Sequence, residues 1–102
     1  MTDRELLELA AKAAGYDIVF WSDKAAFKNV DINPNWSPLT DDGDALRLAS
    51  CLLLDVLIED SWITVISGHL DETIDVPVND DRLAATRRAI VRAAAEIGRA
   101  MP

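Results

Sequence analysis

Two short stretches, Tyr16–Trp21 (YDIVFW) and Trp62–Ser67 (WITVIS), read as strands because they are rich in β-branched and aromatic residues. In the first, Tyr16, Ile18 and Phe20 would point one way and Val19 and Trp21 the other. Both faces are largely apolar, and the second stretch reads the same way. A strand apolar on both faces has to be covered on both, which calls for helices on either side of a sheet. The same reasoning predicts that Trp21 and Trp62 are core residues. Helices are present in the pattern to do the covering. Residues 3–14 place Leu6, Leu9, Ala10 and Ala13 at helical spacing, Leu7 widens the stripe, and Gly15 is the natural stop. Asn79-Asp80-Asp81 opens a last helix from Arg82 to about Ala100. Leu83, Ile90, Val91, Ala94, Ile97 and Met101 make its apolar stripe, with Gly98 as a point where the end would fray.

The middle of the chain, WSPLTDDGDALRLA (residues 36–49), crowds Asp41, Asp42 and Asp44 around Gly43. An EF-hand loop requires oxygen ligands at alternate positions, a glycine at the sixth and a glutamate at the twelfth, whereas here the glycine directly follows two adjacent aspartates and no glutamate lies at the right distance. A P-loop requires a lysine, which this stretch lacks. A helix opening fits: Thr40 or Asp42 can accept from free backbone N–H groups, acids favour the positive end of the helix dipole, and Pro38 blocks extension backwards. The apolar pattern then predicts a helix from about Asp42 to Leu57. Leu46, Ala49, Leu53 and Val56 form one stripe and Leu48, Leu52 and Leu54 broaden it, so this helix is expected to be deeply buried or covered by another subunit.

A turn at Ser22-Asp23-Lys24 leads into a weaker strand at about residues 26–32, followed by the turn signal Asn33-Pro34-Asn35. Thr73–Val78 alternates Ile74, Val76 and Val78 with polar residues, a one-faced strand that Pro77 places at an edge or ends. It should form an antiparallel hairpin with Trp62–Ser67. The expected fold is α+β: a three-layer α/β/α sandwich with a small, mainly antiparallel sheet, in the order helix, strand, optional second strand, helix, two strands, helix. No linker divides residues 1–102, so one domain is expected.

Charge is unevenly spread. The formal total is −8, but from Arg82 onward there are five arginines and one glutamate, against five basic and seventeen acidic side chains before it. Such asymmetry marks either a docking face for an anionic partner or a basic helix laid over an acidic body. The net acidity argues against nucleic acid as the default partner. A single cysteine, Cys51, excludes an internal disulfide, and its apolar neighbours predict a buried small hydrophobe. The acids in MTDRELLELAAK do not suit a signal peptide, and no apolar run approaches bilayer length. A cytoplasmic protein is expected.

Chemistry-bearing residues are sparse. His69 is the lone histidine, with no nucleophile motif beside it; with Asp71 and Glu72 it could offer a metal three ligands, but a polar turn explains all three. No catalytic, cofactor or metal residues are therefore assigned, and an enzyme is not expected. Two candidate binding surfaces remain. Arg88, Arg92 and Arg99 share one side of the last helix, flanked by Arg87 and Glu96, and a row of guanidinium forks suits phosphate or carboxylate. A solvated face near a helix C-terminus is the simpler account. Trp36, between Pro34 and Pro38, is either a lid over the core or an exposed recognition anchor.

Three stretches taken together, ELLELAAKAAG, WSPLTDDGDALRLA and ATRRAIVRAAAEIGRA, resemble the phage ABA-sandwich domain family of small bacteriophage and prophage proteins. The resemblance covers roughly half the chain. The family's Trp-x-Pro-Leu turn carries asparagine where this chain has Ser37. What the resemblance implies is a layered α/β/α fold and a phage-encoded protein in the bacterial host cytoplasm, with no activity attached. The expectation is an accessory protein that binds an unidentified host or phage protein, compatible with a homo-oligomer and with no membrane. The alternative is association with nucleic acid through the C-terminal arginine helix.

Overall fold

The computed structural model describes residues 1–22, 24–28 and 34–102. Helix α1, Asp3–Ala14, opens on a capping box: Thr2 Oγ1 accepts from the Glu5 N–H at 3.2 Å while the Thr2 N–H donates to Glu5 Oε1 at 3.4 Å. It closes at Gly15, whose φ of 75° is left-handed, as the sequence predicts. Strands β1 (Ile18–Trp21), β2 (Lys24–Phe27) and β3 (Asn35–Trp36) then form an antiparallel sheet in that order. The weaker strand, expected at about 26–32, is present at Lys24–Phe27 and ends before Lys28; positions 29–32 of that expectation, and Asn33 of the following turn, lie outside the described residues.

Helix α2, Asp42–Cys51, starts where expected but stops six residues short of Leu57. Leu52 caps it, Leu53 turns the chain with φ 55°, and the following residues become strand β4, Asp55–Ile58. Strands β5 (Trp62–Ile66) and β6 (Ile74–Pro77) complete a second antiparallel sheet, β4-β5-β6. The predicted hairpin is β5–β6, with Ile63 opposite Val76 and Val65 opposite Ile74. The class is α+β with the expected order of elements, and the small antiparallel sheet is realised as two three-stranded ones.

The second sheet is apolar-covered on one face only. Ile63 and Val65 are fully buried, whereas Trp62 is 50% exposed and Ile66 39%. Trp21, at the end of β1, is 63% exposed. The expectation that Trp21 and Trp62 are core residues is therefore overturned: helix α3 covers only the Ile63/Val65 side of β5, and nothing among the described residues covers the other. Burial throughout the α2 region fails likewise, with Leu46 and Leu53 largely in water. Cys51, the last residue of α2, is exposed, with its Sγ 3.8 Å from the Ala14 carbonyl.

Helix α3, Arg82–Ala100, begins at Asp81, whose carboxylate accepts from the Ala84 N–H at 3.0 Å. It takes part in both apolar clusters. Ala85, Ala89 and Ala93, one turn apart, pack with Ile63, Val65 and Val76 of the second sheet. Ile90, Val91, Ala94 and Ala95 pack with Leu6, Leu7, Ala10 and Ala11 of α1, with Ala45, Leu48 and Ala49 of α2, and with Ala25 and Trp36 of the first sheet. Leu83 and Met101, expected in its stripe, are exposed. Gly98 does not fray the helix. It is buried, and a Cβ placed on it would lie 2.0 Å from the Leu9 carbonyl oxygen, so it is the point where α1 and α3 touch backbone to backbone.

Gly98→Ala should therefore destabilise the protein by about 1–3 kcal/mol, since the helices must separate, even though alanine favours a helix by about 1 kcal/mol over glycine. A urea titration decides it; a midpoint unchanged or raised would show that the crossing is looser than described.

Candidate binding surfaces

The aspartate-rich turn opens α2. Asp41, not Thr40 or Asp42, is the cap: its Oδ2 accepts from the Asp44 N–H at 2.8 Å. Asp42 receives Arg87 Nη1 at 2.6 Å, and Asp44 receives the Ser37 N–H at 2.9 Å and Arg47 Nη2 at 2.6 Å. Arg87 also donates from Nε to the Leu39 carbonyl at 2.9 Å, fixing α3 to this turn. Each carboxylate has its own protein donor, which is the arrangement of a structural turn. Among the described residues no group of three His, Cys, Asp or Glu side chains is placed to hold a metal ion.

Trp36 is 2% exposed and sits edge-on to Tyr16 at 5.6 Å, with Phe27 at 6.2 Å. Its indole fills the space between the first sheet and the helices, and burial beside it raises the Tyr16 phenol above its ordinary pKa. The three arginines do lie along one side of α3, but not as a free row. Arg88 donates to Asp3 at 3.2 and 3.3 Å, and Arg99 to Glu96 at 3.4 Å. Arg88, Arg92 and Glu96 of α3 line a groove of about 720 Å³ that also takes in the start of α1 and the β5–β6 turn with Asp71 and Glu72. Arg92 is exposed there and makes no ion pair among the described residues. Carboxylates stand beside the arginines in this groove, so it is not a purely cationic site. Trp36 lies apart from it.

A different surface emerges on the second sheet. Register places Asp55 opposite Ile66, Leu57 opposite Thr64, Thr64 in turn opposite Asp75, and Trp62 opposite Pro77, all on the face turned away from α3. Leu57, opposite Thr64, is thus diagonal to both Trp62 and Ile66 on one exposed face, with Leu57 45% exposed. Asp55 and Asp75 share that face, and Glu59 and Asp60 border it at the β4–β5 turn. Residues 48–81 contain no lysine or arginine and eight acids. Beyond β4, a second apolar groove of about 550 Å³ runs past Leu46, Leu53, Leu54 and Val56. Leu53 is held out into it at 84% exposure by a left-handed backbone that leucine rarely adopts. Sequence reasoning missed this surface because apolar residues fill both faces of WITVIS; Thr64, opposite Asp75, was the one signal that the outer face is wet.

Comparison with protein-family models, with curated proteins and with solved structures finds no match for this chain.

The two tryptophan environments predict a clear contrast. Trp36→Ala should cost about 3–5 kcal/mol, as loss of a fully buried aromatic does, whereas Trp21→Ala should cost less than about 1 kcal/mol. Chemical denaturation of both variants measures it, and equal losses would contradict the assigned burial.

Proposed function

We propose that this is a phage or prophage accessory protein that acts by binding another protein, of host or phage, and not by catalysis. The observation that carries the binding role is the outer face of β4-β5-β6, where Leu57, Trp62 and Ile66 lie exposed together. Isolated exposed apolar residues are ordinary, but a contiguous set on a sheet face with a polar rim is characteristic of a protein interface. The phage origin rests on the sequence resemblance. Placement in the host cytoplasm goes with it; among the described residues no helix is long and apolar enough to cross a membrane.

The nucleic-acid reading draws less support. Arg87, Arg88 and Arg99 are engaged by Asp42, Asp3 and Glu96, and the exposed apolar face lies within a stretch devoid of basic residues. A phosphate backbone would meet repulsion there.

The test is affinity capture from lysates of phage-carrying bacteria with three baits. The wild type should recover a protein in a nuclease-resistant manner. A folded Leu57→Ser/Ile66→Ser variant should lose it, and Arg88→Gln/Arg92→Gln/Arg99→Gln should keep it. Nuclease-sensitive recovery lost only in the arginine variant would overturn the proposal in favour of nucleic acid.

A further inference from the structure

The two edges of the second sheet are not equivalent. The Val78 N–H donates to the Ser61 carbonyl at 2.9 Å, so alternation along the ladder makes Ile63–Val76 and Val65–Ile74 the hydrogen-bonded pairs. Asp75 and Pro77 then turn their backbone groups outward, and Pro77 has no N–H to offer. Asp75 is tied back to Thr64 at 2.8 Å and to Thr73 at 3.1 Å. The β6 edge is closed to further pairing in the way native sheets close their edges.

On the other side the Glu59 N–H donates to the Trp62 carbonyl at 3.0 Å. By the same alternation Leu57–Thr64 and Asp55–Ile66 are hydrogen-bonded pairs, which leaves the N–H and C=O groups of Val56 and Ile58 directed away from the sheet. The β4 edge, Asp55-Val56-Leu57-Ile58, carries no proline and no lysine, and the groove past Leu46, Leu53 and Val56 runs beside it.

We propose that β4 is a strand-addition site, which accepts an extended, basic segment of a partner protein as a fourth strand of this sheet. The inference rests on the protein-binding reading above and names the chemistry of the partner. Backbone pairing with Val56 and Ile58 would supply the docking, and side chains of the incoming strand would supply the selection. Positions opposite Asp55 and Glu59 fall on the outer face, and among the described residues no lysine or arginine forms an ion pair with either carboxylate. Lysine or arginine at both positions, flanking an apolar residue opposite Leu57, complements the edge. A second copy of the chain fits less well: antiparallel self-pairing centred on Leu57 sets Asp55 against the Glu59 of the other copy twice, and like charges directly opposite destabilise a strand pair.

Backbone amide exchange with two synthetic peptides tests this. One alternates valine with threonine and carries lysines at the spacing of Asp55 and Glu59; the other has glutamate in place of lysine. The lysine peptide should slow exchange at Val56 and Ile58, leave Leu57 unchanged, and lose its effect as salt rises. The glutamate peptide, and a lysine peptide N-methylated at the pairing amides, should do nothing. Equal protection by both charged peptides, or protection by neither, would overturn the proposal. Protection of Val56 and Ile58 that grows with protein concentration alone would overturn it in favour of self-pairing. If the peptides fail while Leu57→Ser/Ile66→Ser still abolishes partner recovery, the edge proposal falls and the sheet-face reading stands.

Discussion

The backbone contact between Gly98 and Leu9 sets the geometry of the whole chain. It lets α3 lie close enough to α1 for Ala10 and Ala94 to be fully buried at their shared cluster, while the same helix turns Ala85, Ala89 and Ala93 to the second sheet. Small side chains contribute little apolar area themselves. Their role is to admit a second and a third element to within packing distance of one helix, so that larger groups such as Leu48, Ile63, Val65 and Val91 become buried against it. A helix serving two apolar clusters has no side left with which to cover the far face of either sheet. The outer surface of β4-β5-β6, with Leu57, Trp62 and Ile66, is exposed as a direct consequence.

Electrostatics follow the same plan. Three arginines fasten α3 to separate parts of the acidic body: Arg82 to Asp60 at the β4–β5 turn, Arg87 to Asp42 at the start of α2, and Arg88 to Asp3 at the start of α1. The charge asymmetry in the sequence is in this respect a basic helix laid over acidic elements. The exposed pairs are worth about 0–1 kcal/mol each. Arg87, mostly buried and donating to both the Leu39 carbonyl and Asp42, holds its position more firmly. Residues 48–81 hold eight acids and no lysine or arginine of their own, and Arg82 of α3 pairs with one of those acids, Asp60. Asp55 and Asp75 share the exposed apolar face, and Glu59 and Asp60 border it.

Elements defined by local chemistry were legible in the sequence, and those defined by distant partners were not. The start of α1 near Asp3, its stop at Gly15 and the opening of α3 within Asn79-Asp80-Asp81 depend on residues close in sequence and could be read directly, although the cap of α2 fell on Asp41 and not on Thr40 or Asp42. The end of α2 could not. Leu52 to Ile58 is apolar at nearly every position, and such a run suits a helix or a strand equally until pairing with residues 63–66 decides it. The tryptophans failed for a related reason. Alternation shows which residues share a face, but only the placement of α3 determines which face is covered; hence Trp62 lies outside, while Trp36, in the short strand β3, lies inside. Of the candidate site residues, Arg88 and Arg92 do share a groove, while the sheet surface was hidden by its own apolar richness.

The second sheet is covered on one face and open on the other. Acrylamide quenching of tryptophan fluorescence in the Trp21→Phe variant, which keeps Trp36 and Trp62, examines it most directly. The structure predicts two populations, one readily quenched and one protected, with the quenched one removed by adding Trp62→Phe. A single protected population in Trp21→Phe would contradict the account, because Trp62 would then be covered in solution.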